Sequence, residues 1–241
     1  MISPGRRISD LIESIAGQRR EADVVVVFKQ CMRALGADAG VFATFISADN
    51  SDSFNFYVDC TEVWCSEYQN RRSNIQDPCI AYAATRTEPV KLSQIPVLTH
   101  AQRDLVDSAQ VNGFASGAVF PAPSAGSVSR IGVLTIGSRD PAHFEGDEFQ
   151  RVRSMGRLLA MELNEWWIRH IRERLLVEAR LSTEDLDLLR YEAQGLKSKA
   201  IAKELGTTPT SIDSRFQRIN AKLRVPTRSE AARVVAENGL L

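Results

Sequence analysis

The sequence predicts an α+β chain: an N-terminal α-β-α sandwich around an antiparallel sheet, then a C-terminal all-α four-helix module containing a helix-turn-helix. Three observations carry this. Residues 1–168 alternate helical runs with two pairs of strand-like runs, each pair joined by a turn of small or polar residues. Residues 181–241 show no strand pattern, only short helical runs punctuated by Gly195, Gly206 and Gly239. Between them, 169–180 carries Arg169, Arg172, Arg174 and Arg180 and reads as a linker.

The elements follow in order. Residues 8–35 read as helical, because Val24, Phe28, Cys31 and Leu35 recur at helical spacing and Gly36 follows as a stop. The four valines from Val24 to Val27 suit a strand equally well. Residues 40–47 and 54–60 read as strands around the turn ADNSDS, a hairpin. Residues 62–71 read as a short helix. Asp77 and Pro78 then open another, with Asp as N-cap and Pro at the first helical position. Residues 88–98 look irregular, and 99–112 form an amphipathic helix that stops at Gly113. Strands at 115–121 and 130–137 flank the segment APSAGSVS. A long helix begins near Glu145, with Phe149, Val152, Leu159, Leu163, Trp166 and Ile171 on one stripe. In the last module, Ser182 with Asp185 and Thr227 with Glu230 resemble capping boxes, and Thr208 before Pro209 caps a third helix that runs to about Leu223.

Composition removes several functions. Lys+Arg is 30 and Asp+Glu is 30, so a chain that coats nucleic acid non-specifically is not expected. No run of apolar residues is long enough to span a membrane, and MISPGRRISDLIESIAG lacks the apolar core of a secretory signal. A cytoplasmic chain is expected, without metal or bound cofactor. His100, His143 and His170 lie in separate segments, away from any recognisable nucleophile motif, so the chain does not read as an enzyme. Cys31, Cys60, Cys65 and Cys79 form no CxxC pair. Cys60 and Cys65 flank Trp64 and Cys79 follows Pro78, which leaves a cysteine-based redox sensor as an alternative.

The third helix of the last module divides cleanly on a helical wheel. Ile212, Phe216, Ile219 and Leu223 share one face, which belongs to a core. Thr210, Ser214, Gln217, Arg218 and Ala221 lie opposite, small and polar enough to enter a major groove. Gln217 has the geometry to pair with adenine, and Arg218 to bind guanine or a phosphate. Asp213 on the flank suits cytosine but repels phosphate. Thr208 and Ser211 sit at the start of the same helix. Lys197, Lys199, Arg215, Lys222 and Arg228 are assigned to phosphates, so that loss of Lys222 weakens all DNA sequences about equally. The module holds ten Lys/Arg against eight Asp/Glu, a net of +2, so electrostatic steering is weak.

Residues 181–241 resemble the DNA-binding domain of LuxR-type transcriptional regulators. The resemblance rests on Leu189, Gly195, Ile201-Ala202, Lys222-Leu223 and Gly239-Leu240; Glu184-Asp185 stands where the family opens with Arg-Glu, and Tyr191 where it has Trp. The first half is similar to the autoinducer-binding domain of the quorum-sensing branch. Trp64, Tyr68, Asp77 and Pro78 stand in its W-x3-Y-x8-D-P spacing, Gly117 falls in GAVFP, and Thr135 sits at its small hydroxyl position. The resemblance implies an N-acyl homoserine lactone as ligand. Asp77 would accept its amide N–H, Tyr68 would bond the acyl carbonyl, Trp64 would pack on the lactone and Thr135 would reach the amide region. Leu92 replaces the family Trp whose indole N–H meets the lactone carbonyl, and Cys60 replaces a further Tyr. A lactone in a changed pose and a different amide-like signal, sensed without a cognate synthase, both stay open. The partners implied are a small-molecule autoinducer, double-stranded promoter DNA with inverted repeats, RNA polymerase, and a second copy of the chain docked through the helix around 149–167.

Overall fold

The apolar pattern of the first helical run resolves the ambiguity of its valines. In the computed structural model, which describes residues 7–46, 55–59, 64, 68, 76–124 and 130–241, α1 (Ile8–Glu13) is followed by α2 (Glu21–Ala34). Val24, Val27, Phe28, Cys31 and Met32 are buried while Val26 faces solvent, so the 3.6-residue period prevails over β-propensity. Gly36, at φ 71, lets the chain leave the helix in the left-handed region.

The described residues fall into two compact units, divided between Trp166 and Trp167. The first unit is built on a five-stranded sheet in the order β2-β1-β5-β4-β3. Its strands are β1 (Ala39–Ile46), β2 (Asn55–Asp59), β3 (Val90–Lys91), β4 (Ser116–Pro123) and β5 (Arg130–Ser138), and every pair is antiparallel. The β1–β2 hairpin forms as the alternation predicts. β3 corrects the irregular reading of 88–98. Two residues are too few to show a period, and pairing of Val90 with Val119 and Lys91 with Ala118 defines the strand instead.

Helices cover the sheet. α3 (Pro78–Ala83) begins at Asp77, whose side chain accepts from the Cys79 N–H. α4 (His100–Val111) begins at Thr99 in a capping box with Gln102. α5 (Glu148–Glu178) is a single helix of 31 residues, so residues 169–178 are helical. Its first part packs on the sheet through Gly156, where a Cβ would lie 2.5 Å from the Phe120 ring. Asn164 Nδ2 donates to the Ala122 carbonyl at 3.0 Å, and the Trp166 indole donates to the Gln18 carbonyl at 2.8 Å. Phe149, Val152, Leu159, Leu163 and Trp166 are therefore buried within their own chain. The face of α5 left outward carries Arg153, Arg157, Leu158 and Glu165.

The second unit contains α6 (Thr183–Ala193), α7 (Ser198–Glu204), α8 (Pro209–Leu223) and α9 (Arg228–Glu237). The Ser182–Asp185 capping box forms reciprocally, whereas Thr227 only accepts from the Glu230 N–H. Gly206, at φ 62, makes the tight turn into α8, which Thr208 caps through the Ser211 N–H. Leu188, Leu189, Ile201, Ile212, Phe216, Ile219 and Val235 close one core. No helix among the described residues is long and apolar enough to cross a membrane.

Candidate functional site

Strand alternation places Val41 and Ala43 on one face of β1, opposite Thr135 and Val133 of β5. These four floor a cavity of about 240 Å³, walled by α3, α4 and the 92–97 segment. That volume is near the lower end for small-molecule sites. Trp64 and Tyr68, both helical, pack at 5.4 Å between ring centroids, and Trp64 meets Phe114 at 5.6 Å.

A part-buried polar cluster occupies one wall. The Tyr68 hydroxyl donates to Asp77 Oδ2 at 2.7 Å, and the Cys79 N–H donates to Asp77 Oδ1 at 2.7 Å. Cys79 and Thr135 line the same cavity as Asp77. Burial pushes the Asp77 carboxyl above the usual carboxylate range, although the Tyr68 and Cys79 hydrogen bonds oppose it. Burial, and then the Asp77 charge, push both the Tyr68 phenol and the Cys79 thiol well up. The result is a carboxyl held in place by its neighbours, with its accessible surface facing the cavity that it lines.

At the rim, Ser93 Oγ donates to Glu145 Oε2 at 2.9 Å, and the Lys91 ammonium donates to the Glu145 carbonyl. Leu92 lies on the cavity wall, seated on Gly117. A Cβ on Gly117 would fall 2.5 Å from Leu92 Cδ1 and would collide with the Ile136 carbonyl.

In the second unit, the outer face of α8 is bare. Thr210, Ser211, Ser214, Gln217 and Arg218 are exposed, as are Thr208 at its cap and Lys197 and Lys199 beside α7. Arg215 is half-buried. Two of the expected phosphate contacts are engaged within the module. The Lys222 ammonium lies 2.5 Å from Asp185 Oδ2 and 2.9 Å from the Arg180 carbonyl. Arg228 pairs with Glu192 at 2.9 Å, donates to Ser198 Oγ at 2.8 Å and stacks over the Phe216 ring at 5.2 Å. Ser198 Oγ in turn donates to Asp213 at 2.5 Å, so Asp213 belongs to this network too.

Comparison with known proteins joins the two halves. Residues 20–165 match the autoinducer binding domain family, and residues 179–235 match the bacterial regulatory proteins of the luxR family. The chain belongs to the LuxR family of quorum-sensing transcriptional regulators. Transcriptional regulatory protein YdfI of Bacillus subtilis (strain 168) is 38% identical over 64 residues, 27% of this chain and 30% of the relative. Solved structures share the fold. Escherichia coli SdiA covers 97% of this chain and 99% of its own at TM-score 0.73 and 17% identity. SdiA in complex with octanoyl-rac-glycerol covers 97% and 94% at TM-score 0.75 and 17% identity. CepR2 of Burkholderia cenocepacia, an N-acylhomoserine lactone dependent LuxR family transcription factor, covers 68% and 95% at TM-score 0.55 and 16% identity.

Within this LuxR-family chain, Trp64, Tyr68, Asp77, Leu92 and Thr135 come together around the cavity. Gly117 does not line it but supports Leu92, and Cys60 and Cys65 lie outside the described residues. Sequence reasoning missed Cys79, Val41, Ala43 and Val133. The period of two along β1 and β5 carried the signal for the last three, and the helix cap at Asp77 carried it for Cys79. Glu145 and Ser93 have no sequence signature, because a loop and a 3-10 turn bring them together.

Proposed function

We propose that this LuxR-family regulator binds an acyl-type small signal, an N-acyl homoserine lactone or a relative of it, in the cavity of its first unit. As a dimer it then binds inverted-repeat promoter DNA through α8 and contacts RNA polymerase. The observation that carries the reading is the part-buried Tyr68–Asp77 pair beside a mostly apolar cavity. A buried carboxyl without a solvent partner is costly, and an amide or hydroxyl donor from a ligand offsets that cost. The bare polar face of α8 supports the DNA half.

Leu92 favours a second reading, a signal other than a lactone, since no indole donor stands at that wall. SdiA, which shares this fold, is solved with octanoyl-rac-glycerol, an acyl ligand without a lactone. The redox alternative has less support among the described residues. Burial raises the Cys31 thiol to about 12 and the Cys79 thiol well above its ordinary value, which suppresses the reactive thiolate. Oxidant sensitivity of DNA binding tests that alternative directly.

The test of the main reading is expression in a host that makes no lactones, followed by melting and operator gel shifts with acyl ligands of graded chain length. Stabilisation by one chain length together with ligand-dependent DNA binding supports it. A protein indifferent to every acyl compound rejects it.

A further inference from the structure

The geometry points to Asp213 as a specificity-determining residue of α8, one that selects a cytosine beside the base read by Gln217 and is positioned for this by Ser198 and Arg228. This deepens the DNA-binding reading of α8 above and rests on it.

Asp213 is the fifth residue of α8 and is exposed. By the 3.6-residue period it lies about 40° round the helix from Gln217 and roughly 90° from the buried stripe of Ile212, Phe216 and Ile219. Side chains four apart are neighbours on a helix, with about 5–6 Å between their Cβ atoms. Asp213 therefore stands one turn before Gln217, toward the N-terminal end with which a recognition helix meets base edges.

An exposed aspartate is ordinarily free to rotate, and this one is held. Glu192, near the end of α6 and 13% exposed at its side chain, pairs with Arg228 Nε at 2.9 Å. The Arg228 guanidinium lies over the Phe216 ring at 5.2 Å, and its Nη1 donates to Ser198 Oγ at 2.8 Å. A hydroxyl has one proton. With a lone pair of Ser198 taken by Arg228, that proton goes to Asp213 Oδ1 at 2.5 Å. One carboxylate oxygen is fixed in this way, while Oδ2 has no hydrogen-bond or ion-pair partner among the described residues. An ionised carboxylate only accepts, so the chain of contacts ends on an oriented acceptor beside Gln217.

The edges of the bases decide what that acceptor selects. In the major groove cytosine presents the N4 donor alone. Guanine presents two acceptors, thymine an acceptor and a methyl group, and adenine a donor next to an acceptor. Cytosine alone meets Oδ2 without repulsion. The same charge repels the DNA backbone, and the exposed Lys197 and Lys199 on either side of Ser198 offset that effect. Asp213 and Gln217 thus read neighbouring base pairs by different chemistry, a carboxylate for cytosine and an amide for adenine.

The experiment is selection of duplex DNA from a randomised library by the full chain, followed by competition gel shifts on the selected site. The wild type is expected to prefer cytosine by about fivefold or more, at the base pair next to the one whose preference Gln217→Ala relaxes. Asp213→Asn keeps an acceptor for Ser198 and puts an amide N–H in place of Oδ2, so the preference at that pair is expected to move to adenine. Ser198→Ala releases the carboxylate and is expected to shrink the cytosine preference while the rest of the site is unchanged. Ser198→Thr keeps the hydroxyl and is expected to restore it. An unmoved preference in Asp213→Asn overturns the inference, as does a variant that binds every sequence more tightly alike, since Asp213 then only repels phosphates. Failure of Ser198→Thr to restore the preference overturns the positioning role. A chain that selects no sequence, or a selected site indifferent to Gln217→Ala, removes the reading of α8 itself and the inference with it.

Discussion

Asp77 concentrates the conflict between stability and recognition in one carboxyl. Burial raises its folded pKa above the unfolded value, so the stability linked to its protonation is fully present below the unfolded pKa and is lost as pH rises through the folded one. Ionising Asp77 in the ligand-free fold therefore costs stability. Asp77→Asn keeps an acceptor for the Cys79 N–H and removes the charge. Its melting temperature is expected to gain on that of the wild type as pH rises and to converge with it toward acid pH, while ligand-induced stabilisation falls. A pH series of thermal melts checks both signs. Lys222, expected at a phosphate, is engaged within its own module. Burial raises the Asp185 carboxyl, but its bonds to Lys222 and to the Ser182 N–H outweigh that effect and hold it low. Lys222→Ala is expected to destabilise the second unit by up to about 1 kcal/mol, since the pair it breaks is solvent-exposed. The salt dependence of DNA binding should stay unchanged in that variant. A shallower salt slope would return Lys222 to the phosphate contacts.

Elements carry the next set of constraints. β4 supports the cavity wall only because Gly117 has no side chain, leaving Leu92 room to lie on the strand. Gly117→Ala is expected to cost about 1–3 kcal/mol, as overpacking does, and to weaken ligand binding because Leu92 must move; denaturant melts and titration measure the two effects. α8 divides its work by face. Ile212, Phe216 and Ile219 bury one side, and the Glu192–Arg228–Ser198–Asp213 network ties its flank to α6, α7 and α9. Gln217, on the free side, is therefore the residue to test for sequence reading. Gln217→Ala is expected to lower operator affinity by about 1–3 kcal/mol and leave non-specific binding almost unchanged, measured by competition with random DNA.

At the scale of the whole molecule, function depends on coupling a ligand unit to a DNA unit. A signal that binds only the folded first unit stabilises it by RT ln(1+[L]/Kd), about 2.7 kcal/mol at a hundred times Kd. For a domain of this size that amounts to roughly 5–10 °C in melting temperature. Two copies of α8 reading an inverted repeat must meet half-sites about one helical turn apart, roughly 34 Å. Inserting half a turn of DNA between the half-sites puts them on opposite faces of the duplex. Affinity for such an operator is expected to drop to that of a single half-site in gel shifts. Equal affinity for both spacings would argue against the dimeric reading.

Local physics made much of this legible from the sequence alone. Helix caps at Asp77, Ser182 and Thr208, and glycine turns at Gly195 and Gly206, are written in short stretches of chain, and all of them form. The α8 wheel and the spacing of Trp64, Tyr68 and Asp77 are periodic signals of the same kind. Other features depend on which distant segments meet. The two-residue β3 exists because β4 pairs with it. The α5 stripe turns inward because Phe120, Ala122 and Gln18 receive it. Lys222 and Arg228 face carboxylates that only tertiary packing brings within reach. The Ser93–Glu145 hydrogen bond at the cavity rim is settled in the same way, between segments far apart in the chain. Sequence encodes the conformational preferences of neighbours, whereas hydrogen-bond partners across the fold follow from the balance of packing that closes it.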